Sequence, residues 1–296
     1  MFKNKIAAAT AAGIAFCCAQ QCRASGDAEA SGASSAAASA AARGPLKVLS
    51  IGNSFSQNAQ AQLKVISESF GRRLVLGNAS IGGCSLERHW LNASTNGLQY
   101  ARNGANISLA DYLAAEKWDI VTIQQASHFS RFPETYEPAG SNLIGFVKLH
   151  APQAEIVVHQ TWAYRADESR LLNWGITADQ MHADISKAYG GFAARHGLRV
   201  IPCGDAFQLA RKTPGWGDYT PAVGDAPASG RTLHQKDGFH ASLEGSFLLG
   251  YVWHEFLFGD DVRKSSATPN GLAPPDAAIL REIAHTAVAN SGAAKL

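Results

Sequence analysis

The chain has 296 residues, 46% of them hydrophobic, and its acidic and basic side chains nearly balance at a formal charge of +2. That is enough apolar material for one domain with a sizeable core. Part of the positive charge sits on Lys3, Lys5 and Arg23 at the N-terminus, and no basic stripe with interleaved aromatics follows, which argues against nucleic acid as a partner.

Residues 1–24 read as an export signal: Lys3 and Lys5 form a positive head, Ile6 to Cys18 is apolar, and Cys22-Arg-Ala24 ends in a small residue. An apolar run of about 13 residues is shorter than the roughly 20 that a membrane-spanning helix needs. No later stretch is apolar for that length, so no membrane span is expected. Cys17 and Cys18 are the positions at which a lipid anchor would attach, but Phe16 is bulky where a lipoprotein signal wants a small side chain. A periplasmic or secreted protein is the expectation ahead of a lipid-anchored one. Removing the signal leaves Cys84 and Cys203 where a disulfide is chemically permitted; two separate buried thiols are an equal alternative.

Residues 25–44 are almost wholly Ala, Ser and Gly, too poor in large apolar groups to offset the entropy of ordering them, and read as a tether. The folded part is expected over 45–296. Leu46 to Ile51 predicts a buried strand running into Gly52, and the spacing of Ala59, Leu63, Ile66 and Phe70 predicts a helix over 57–70. The alternation continues, with strands over 74–77, 119–123, 154–159 and 199–202 and helices over 109–116, 139–150, 179–196 and 243–258. Strands alternating with helices predict an α/β fold, a three-layer α/β/α sandwich on a mainly parallel sheet, with ligands at the carboxyl ends of the strands. The Gly/Pro-rich stretch 214–230 reads as a long surface loop.

Chemistry is therefore sought where strands end. Ser54, in Ile51-Gly-Asn-Ser-Phe-Ser56, follows the first strand and opens a helix, a place suited to a nucleophile whose developing oxyanion would meet backbone N–H groups. The same position also suits a simple helix cap. A serine hydroxyl needs a base, and a base needs orienting. Asp237-Gly-Phe-His240, just before the last predicted helix, places a carboxylate three residues from an imidazole so that both can project from one turn.

Gly52-Asn-Ser-Phe-Ser56, Asn78-Ala-Ser-Ile-Gly-Gly83 and Asp237-Gly-Phe-His240 together resemble the first, second and last blocks of the SGNH (GDSL-like) hydrolases, in order and spacing, over Pro45 to Gly259. Trp118 to His128 and His159-Gln-Thr-Trp-Ala-Tyr164 are similar to a branch of that superfamily labelled mostly as a domain of unknown function. The resemblance implies a flavodoxin-like fold and an ester-cleaving hydrolase with Ser54 as nucleophile, His240 as general base and Asp237 as its orienting partner. It also implies Gly83 as a second oxyanion N–H beside that of Ser54. Two departures stand out: Asn53 replaces the usual Asp before the serine, and Gln124-Gln-Ala-Ser-His128 replaces the block that normally supplies an Asn as third oxyanion donor. Gln124, Gln125 and His128 remain alternatives for that donor.

This chemistry requires no metal or organic cofactor. His89, His159, His234 and His254 lack ligand-like spacing and read as surface or core histidines. Trp162 and Tyr164, after a strand end, read as packing aromatics or as a wall on which a sugar would stack. With export, such a wall favours O-acetyl groups on carbohydrate, so the partner expected is a small-molecule or polysaccharide ester; the oligomeric state is left open. The rival readings are a catalytically inactive carbohydrate-binding protein on the same fold, and a nucleotide-binding α/β protein. The first strand–turn–helix lacks the glycine spacing of the second rival.

Overall fold

The first strand, β1 (Leu46–Gly52), is buried from Val48 onward and runs straight into the turn that carries Ser54. In the computed structural model, which describes residues 44–216, 219 and 229–292, it is an interior strand, second from one edge of the main sheet. The expected signal (1–24), nearly all of the tether (25–44) and most of the 214–230 loop lie outside the described residues. After β1 come α1 (Ser54–Gln60), α2 (Leu63–Glu68), β2 (Leu74–Ser80), α3 (Leu86–Ser94) and a small hairpin of β3 (Tyr100–Arg102) and β4 (Ala105–Ile107). Next follow α4 (Leu109–Ala114), β5 (Ile120–Ile123), α5 (Ala139–His150), β6 (Glu155–His159), α6 (Ser169–Trp174), α7 (Ala178–His196) and β7 (Arg199–Ile201). The described part closes with α8 (Cys203–Arg211), α9 (Leu243–Phe258) and α10 (Pro274–Asn290).

The main sheet has the order β2-β1-β5-β6-β7, and every pair in it is parallel. The chain steps from β1 outward to β2, then crosses back over β1 to β5. That reversal makes the carboxyl end of β1 a switch point, where the flanking loops diverge and leave a crevice. One face of the sheet carries α1, α2, α8, α9 and α10, and the other carries α3, α4, α5 and α7. This is the expected three-layer α/β architecture. The helix α9 is the hub of its layer: Gly245 through Leu257 are all buried, as expected of a helix largely apolar all round.

The predicted 57–70 helix is two helices, broken at Ala61-Gln62. Here Gly250 of α9 presses so closely that a Cβ on it would lie 2.6 Å from Ile66 Cδ1 and 3.3 Å from the Gln62 carbonyl carbon. The helix also begins three residues earlier than the apolar spacing indicates, at Ser54, because Asn53 caps it. The helices α3, α6, α8 and α10 and the hairpin are absent from the sequence expectation; α3 follows a short polar turn capped by Ser85, α8 follows β7 with only Pro202 between, and both are short with little apolar run to mark them.

Candidate active site

Asn53 shapes the turn after β1. Its side-chain oxygen accepts from the Phe55 N–H at 3.0 Å, capping α1, and from Gln124 Nε2 at 2.8 Å, while its Nδ2 donates to the Cys84 carbonyl at 3.2 Å. An Asp at this position could accept the first two bonds but could not donate the third. A Cβ on Gly52 would lie 2.8 Å from both Gln124 Oε1 and Ser56 Oγ, so only glycine fits beneath the turn. The outcome is a half-buried Ser54 at the first position of α1, its backbone N–H without an intrahelical acceptor.

The Asp237–His240 turn comes to meet it. His240 Nε2 lies 2.8 Å from Ser54 Oγ, and His240 Nδ1 lies 2.7 Å from Asp237 Oδ2. The other carboxylate oxygen of Asp237 accepts the backbone N–H groups of Phe239 (3.0 Å) and His240 (3.1 Å). Partial burial works against the charge on Asp237, but the Phe239 N–H and the bonds to His240 outweigh it and hold its pKa below the usual carboxylate value. With an ionised carboxylate on Nδ1, the ring carries its proton there and presents a lone pair at Nε2 to the serine hydroxyl. Chain separation between Ser54 and His240 is nearly the whole fold, so the contact is a product of topology.

The second expected block also arrives. The Ile81 N–H donates to the Gly52 carbonyl at 3.2 Å, and with the Asn53–Cys84 bond this fastens the Ile81–Cys84 turn against the turn that carries Ser54. Gly83 sits in that turn at φ +62°, exposed, with nothing within 4 Å of where a Cβ would be.

The third block is brought to the same strand end, but the N–H groups of its amides are already donated. Gln124 Nε2 donates to Asn53 Oδ1 (2.8 Å) and to the Gln125 carbonyl (3.2 Å). Gln125 Nε2 donates to the Thr135 carbonyl (2.8 Å) and lies 3.1 Å from its hydroxyl, while its Oε1 accepts from the N–H groups of Leu86 and Ala126. The expectation that either glutamine is a free oxyanion donor is corrected accordingly: both are braces. His128 is half-buried, packed on Phe129 with ring centroids 4.2 Å apart, and burial and then the charge of Arg170 depress its pKa, leaving a neutral ring with an N–H to give.

His89, read from sequence as bland, supports the turn from below. Fully buried, it contacts the Gly52 carbonyl through Nε2 and the Tyr100 hydroxyl through Nδ1, both at 2.9 Å. Burial depresses its pKa to about 4 despite the bond to Gly52, so the neutral ring donates to that carbonyl and accepts from Tyr100. Three-dimensional proximity alone marks it; its sequence surroundings carry no signal.

Trp162 and Tyr164 form no sugar-stacking wall, because both are 0% exposed. Trp162 is stacked between Phe55 (4.2 Å) and Phe207 (4.8 Å) and donates its indole N–H to the Phe239 carbonyl, and Tyr164 shares a hydrogen bond with Ser127. Cys84 and Cys203 are separate buried thiols, and burial raises the pKa of Cys84 to about 12. Glu255, Asp261 and His285 bring ligating atoms within 4.8 Å of one another. Those atoms have partners already: His285 Nδ1 pairs with Glu255 (2.7 Å), Glu255 accepts from the Val262 N–H, and Asp261 pairs with Arg263.

Two hollows adjoin this region. An open cleft of about 750 Å³ borders Asp237 and is lined by Asn58, Gln235, Lys236, Ser242 and Leu243. A second cavity of about 390 Å³, lined by Arg165, Asp167, Phe207, Arg211, Trp216 and Leu233, includes neither Ser54 nor His240. No helix among the described residues is long and apolar enough to cross a membrane.

Comparison with known proteins bears on the family and the fold. No curated protein matches the chain. Residues 47–287 match the family described as a domain of unknown function, DUF4886. A crystal structure of a DUF4886 family protein from Bacteroides uniformis is 30% identical, with a TM-score of 0.74 over 86% of this chain and 98% of that one. A protein from Slackia heliotrinireducens, described as a proposed SGNH hydrolase, is 25% identical, with a TM-score of 0.52 over 72% of this chain and 98% of its own. The chain therefore belongs to the DUF4886 family, a branch of the SGNH/GDSL-like superfamily.

Proposed function

We propose that this protein is an exported serine hydrolase that cleaves esters through an acyl-enzyme. The observation that carries the reading is the unbroken line from Asp237 through His240 to Ser54, with contacts of 2.7 and 2.8 Å. Ser54 Oγ attacks the ester carbonyl carbon as His240 Nε2 takes its proton, and the same proton passes to the departing alkoxide. Water then enters by the same route and releases the acid. The N–H groups of Ser54 and Gly83 face the developing oxyanion. Of the three alternatives for the third donor, His128 is the one whose hydrogen-bonding capacity is not already used.

A short acyl group on a polyhydroxylated alcohol is the substrate class we favour. The leaving alcohol takes its proton from His240, and the open cleft beside Asp237 offers Asn58, Gln235, Lys236 and Ser242 as hydrogen-bonding groups. The N-terminal segment adds an argument from place, since an exported enzyme meets extracellular acetylated glycans. The burial of Trp162 and Tyr164 removes the aromatic argument for sugar binding and leaves these two.

Acetate release from acetylated oligosaccharides and from an aryl acetate, compared between wild type and Ser54→Ala, tests the proposal. Release of acetate from both by the wild type alone supports it. Equal acetate release by the variant sinks the mechanism, and aryl acetate turnover without sugar deacetylation sinks the substrate class.

A further inference from the structure

We propose that Arg165 is the positioning residue of this site, a clamp that fixes the turn carrying Asp237 and so sets the aim of His240 at Ser54. The inference rests on reading Asp237 and His240 as the base pair of the reaction.

The Asp237 turn is a surface segment: Asp237 is exposed, and Gly238 takes a φ of +78°. Left to itself such a turn samples many geometries, whereas general-base catalysis needs one. The Gln235 N–H closes it onto the His240 carbonyl at 2.8 Å, and the chain that leaves β6 fixes its outer side. The Arg165 backbone N–H donates to the Gly238 carbonyl at 2.7 Å. Its guanidinium donates from Nη1 to the Gln235 carbonyl at 2.7 Å and from Nη2 to the Lys236 carbonyl at 3.1 Å. Trp162 Nε1 takes the Phe239 carbonyl at 2.9 Å. The carbonyls of 235, 236, 238 and 239, which flank Asp237 on both sides, are thus all bound by Trp162 or Arg165.

The fork geometry explains why an arginine stands there. One edge of the guanidinium, Nε and Nη2, is held by both carboxylate oxygens of Asp167, and the remaining N–H groups are thereby aimed at the two carbonyls. The side chain is also pinned from above by the Tyr219 ring, 4.5 Å from the guanidinium carbon. A lysine would keep the charge but could not hold Asp167 and two carbonyls in one plane. The hydrogen bond to Asp167 is the chief cause of the raised pKa of Arg165, outweighing its burial, and Asp237 is among the negative charges that contribute. The clamp therefore also places a positive charge within electrostatic reach of the catalytic carboxylate.

The test compares wild type, Arg165→Ala, Arg165→Lys and Asp167→Asn in the mature protein, with melting temperature confirming that each is folded. Two readouts are taken: kcat and KM for aryl acetate against pH, and the downfield proton NMR signal of the imidazole N–H bonded to Asp237, assigned by its loss in Asp237→Asn. The clamp predicts kcat lower by roughly 10- to 100-fold in both Arg165 variants with KM changed by less than about twofold. It predicts a smaller loss in Asp167→Asn, and a broadened or missing N–H signal in both Arg165 variants. In Arg165→Ala alone, where a cation is lost, the acid limb of kcat/KM moves to higher pH. Full activity and an unchanged N–H signal in Arg165→Lys would overturn the clamp, as would a fall in melting temperature with kcat and the signal intact. A wild type with no turnover would sink the esterase reading, and the NMR signal would still decide the clamp.

Discussion

His240 and His159 carry the same imidazole in opposite settings. His240 stands at the rim of the sheet with an ionised carboxylate on one nitrogen and a serine hydroxyl on the other. His159 ends β6 in the middle of the molecule, 0% exposed, with neither nitrogen hydrogen-bonded to protein. Burial drives its pKa down to about 3. The difference teaches that a partner and access to solvent make a histidine useful for proton transfer; desolvation alone makes it a neutral filler with a cost at low pH. His89 and His234 fall between the two: both are buried with pKa values near 4, but each gives its Nε2 hydrogen to a backbone carbonyl, of Gly52 and of Ala163, and so braces the site.

Breaking the exposed set has the largest effect. Ser54→Ala and His240→Ala are each expected to reduce ester hydrolysis by about 10⁴-fold or more, with melting temperature nearly unchanged, since both side chains lie at the surface of the site. Asp237→Asn keeps the shape of the turn but removes the charge that fixes the ring's tautomer, and a loss of roughly 10²- to 10⁴-fold in kcat is expected. If Asp237→Asn retained wild-type kcat, the carboxylate would be a turn-former only.

Sharpening the buried set calls for a pH series. For His89, His159 and His234 the folded pKa lies below the ordinary value of 6.5. Above pH 6.5 both folded and unfolded states are neutral and these groups leave stability unchanged. As the pH falls from 6.5 toward 4, the unfolded chain takes up protons that the folded one refuses, and stability drops by up to about 1.4 kcal/mol per pH unit for each group. Against a typical total of about 5–15 kcal/mol, melting temperature should fall steeply between pH 6 and 4. His159→Leu, which removes an unpartnered polar ring, should flatten that fall and raise the melting temperature at pH 5 more than at pH 8. A parallel shift at both pH values would contradict the assignment of His159 as a buried neutral group.

The smallest effect tests the geometry of the turn. Gly238 has φ +78°, and a Cβ there would lie 3.1 Å from Glu168 Cβ and Cγ. Gly238→Ala should cost about 1–2 kcal/mol of stability, lowering the melting temperature by a few degrees, and should reduce kcat through displacement of Asp237. An unchanged melting temperature would mean that the turn relaxes at no cost.

The sheet and the three side chains that meet at its rim were legible from sequence because each leaves a local mark. Apolar runs ending in Gly52 or His159 announce strands, and Asp237-Gly-Phe-His240 sets a carboxylate and an imidazole at a spacing that one turn can close. What was not legible depends on contacts between distant segments. Gln124 and Gln125 look like free amides in the sequence, yet the fold sets Asn53 and Thr135 opposite them and uses up their hydrogens. Trp162 reads from sequence as either a packing aromatic or a sugar-stacking wall, and only Phe55 and Phe207, closing on its two faces, decide for packing. The break at Ala61-Gln62 needs Gly250, far along the chain, to be explained.

The central claim is that Ser54 forms a covalent acyl-enzyme with His240 as its base. Treatment of the folded protein with a serine-directed fluorophosphonate, followed by peptide mass mapping, tests it most directly. A single adduct on Ser54 is expected, one that disappears in Ser54→Ala and forms far more slowly in His240→Ala. A folded wild type that takes no label, or an adduct on any other residue, would contradict it.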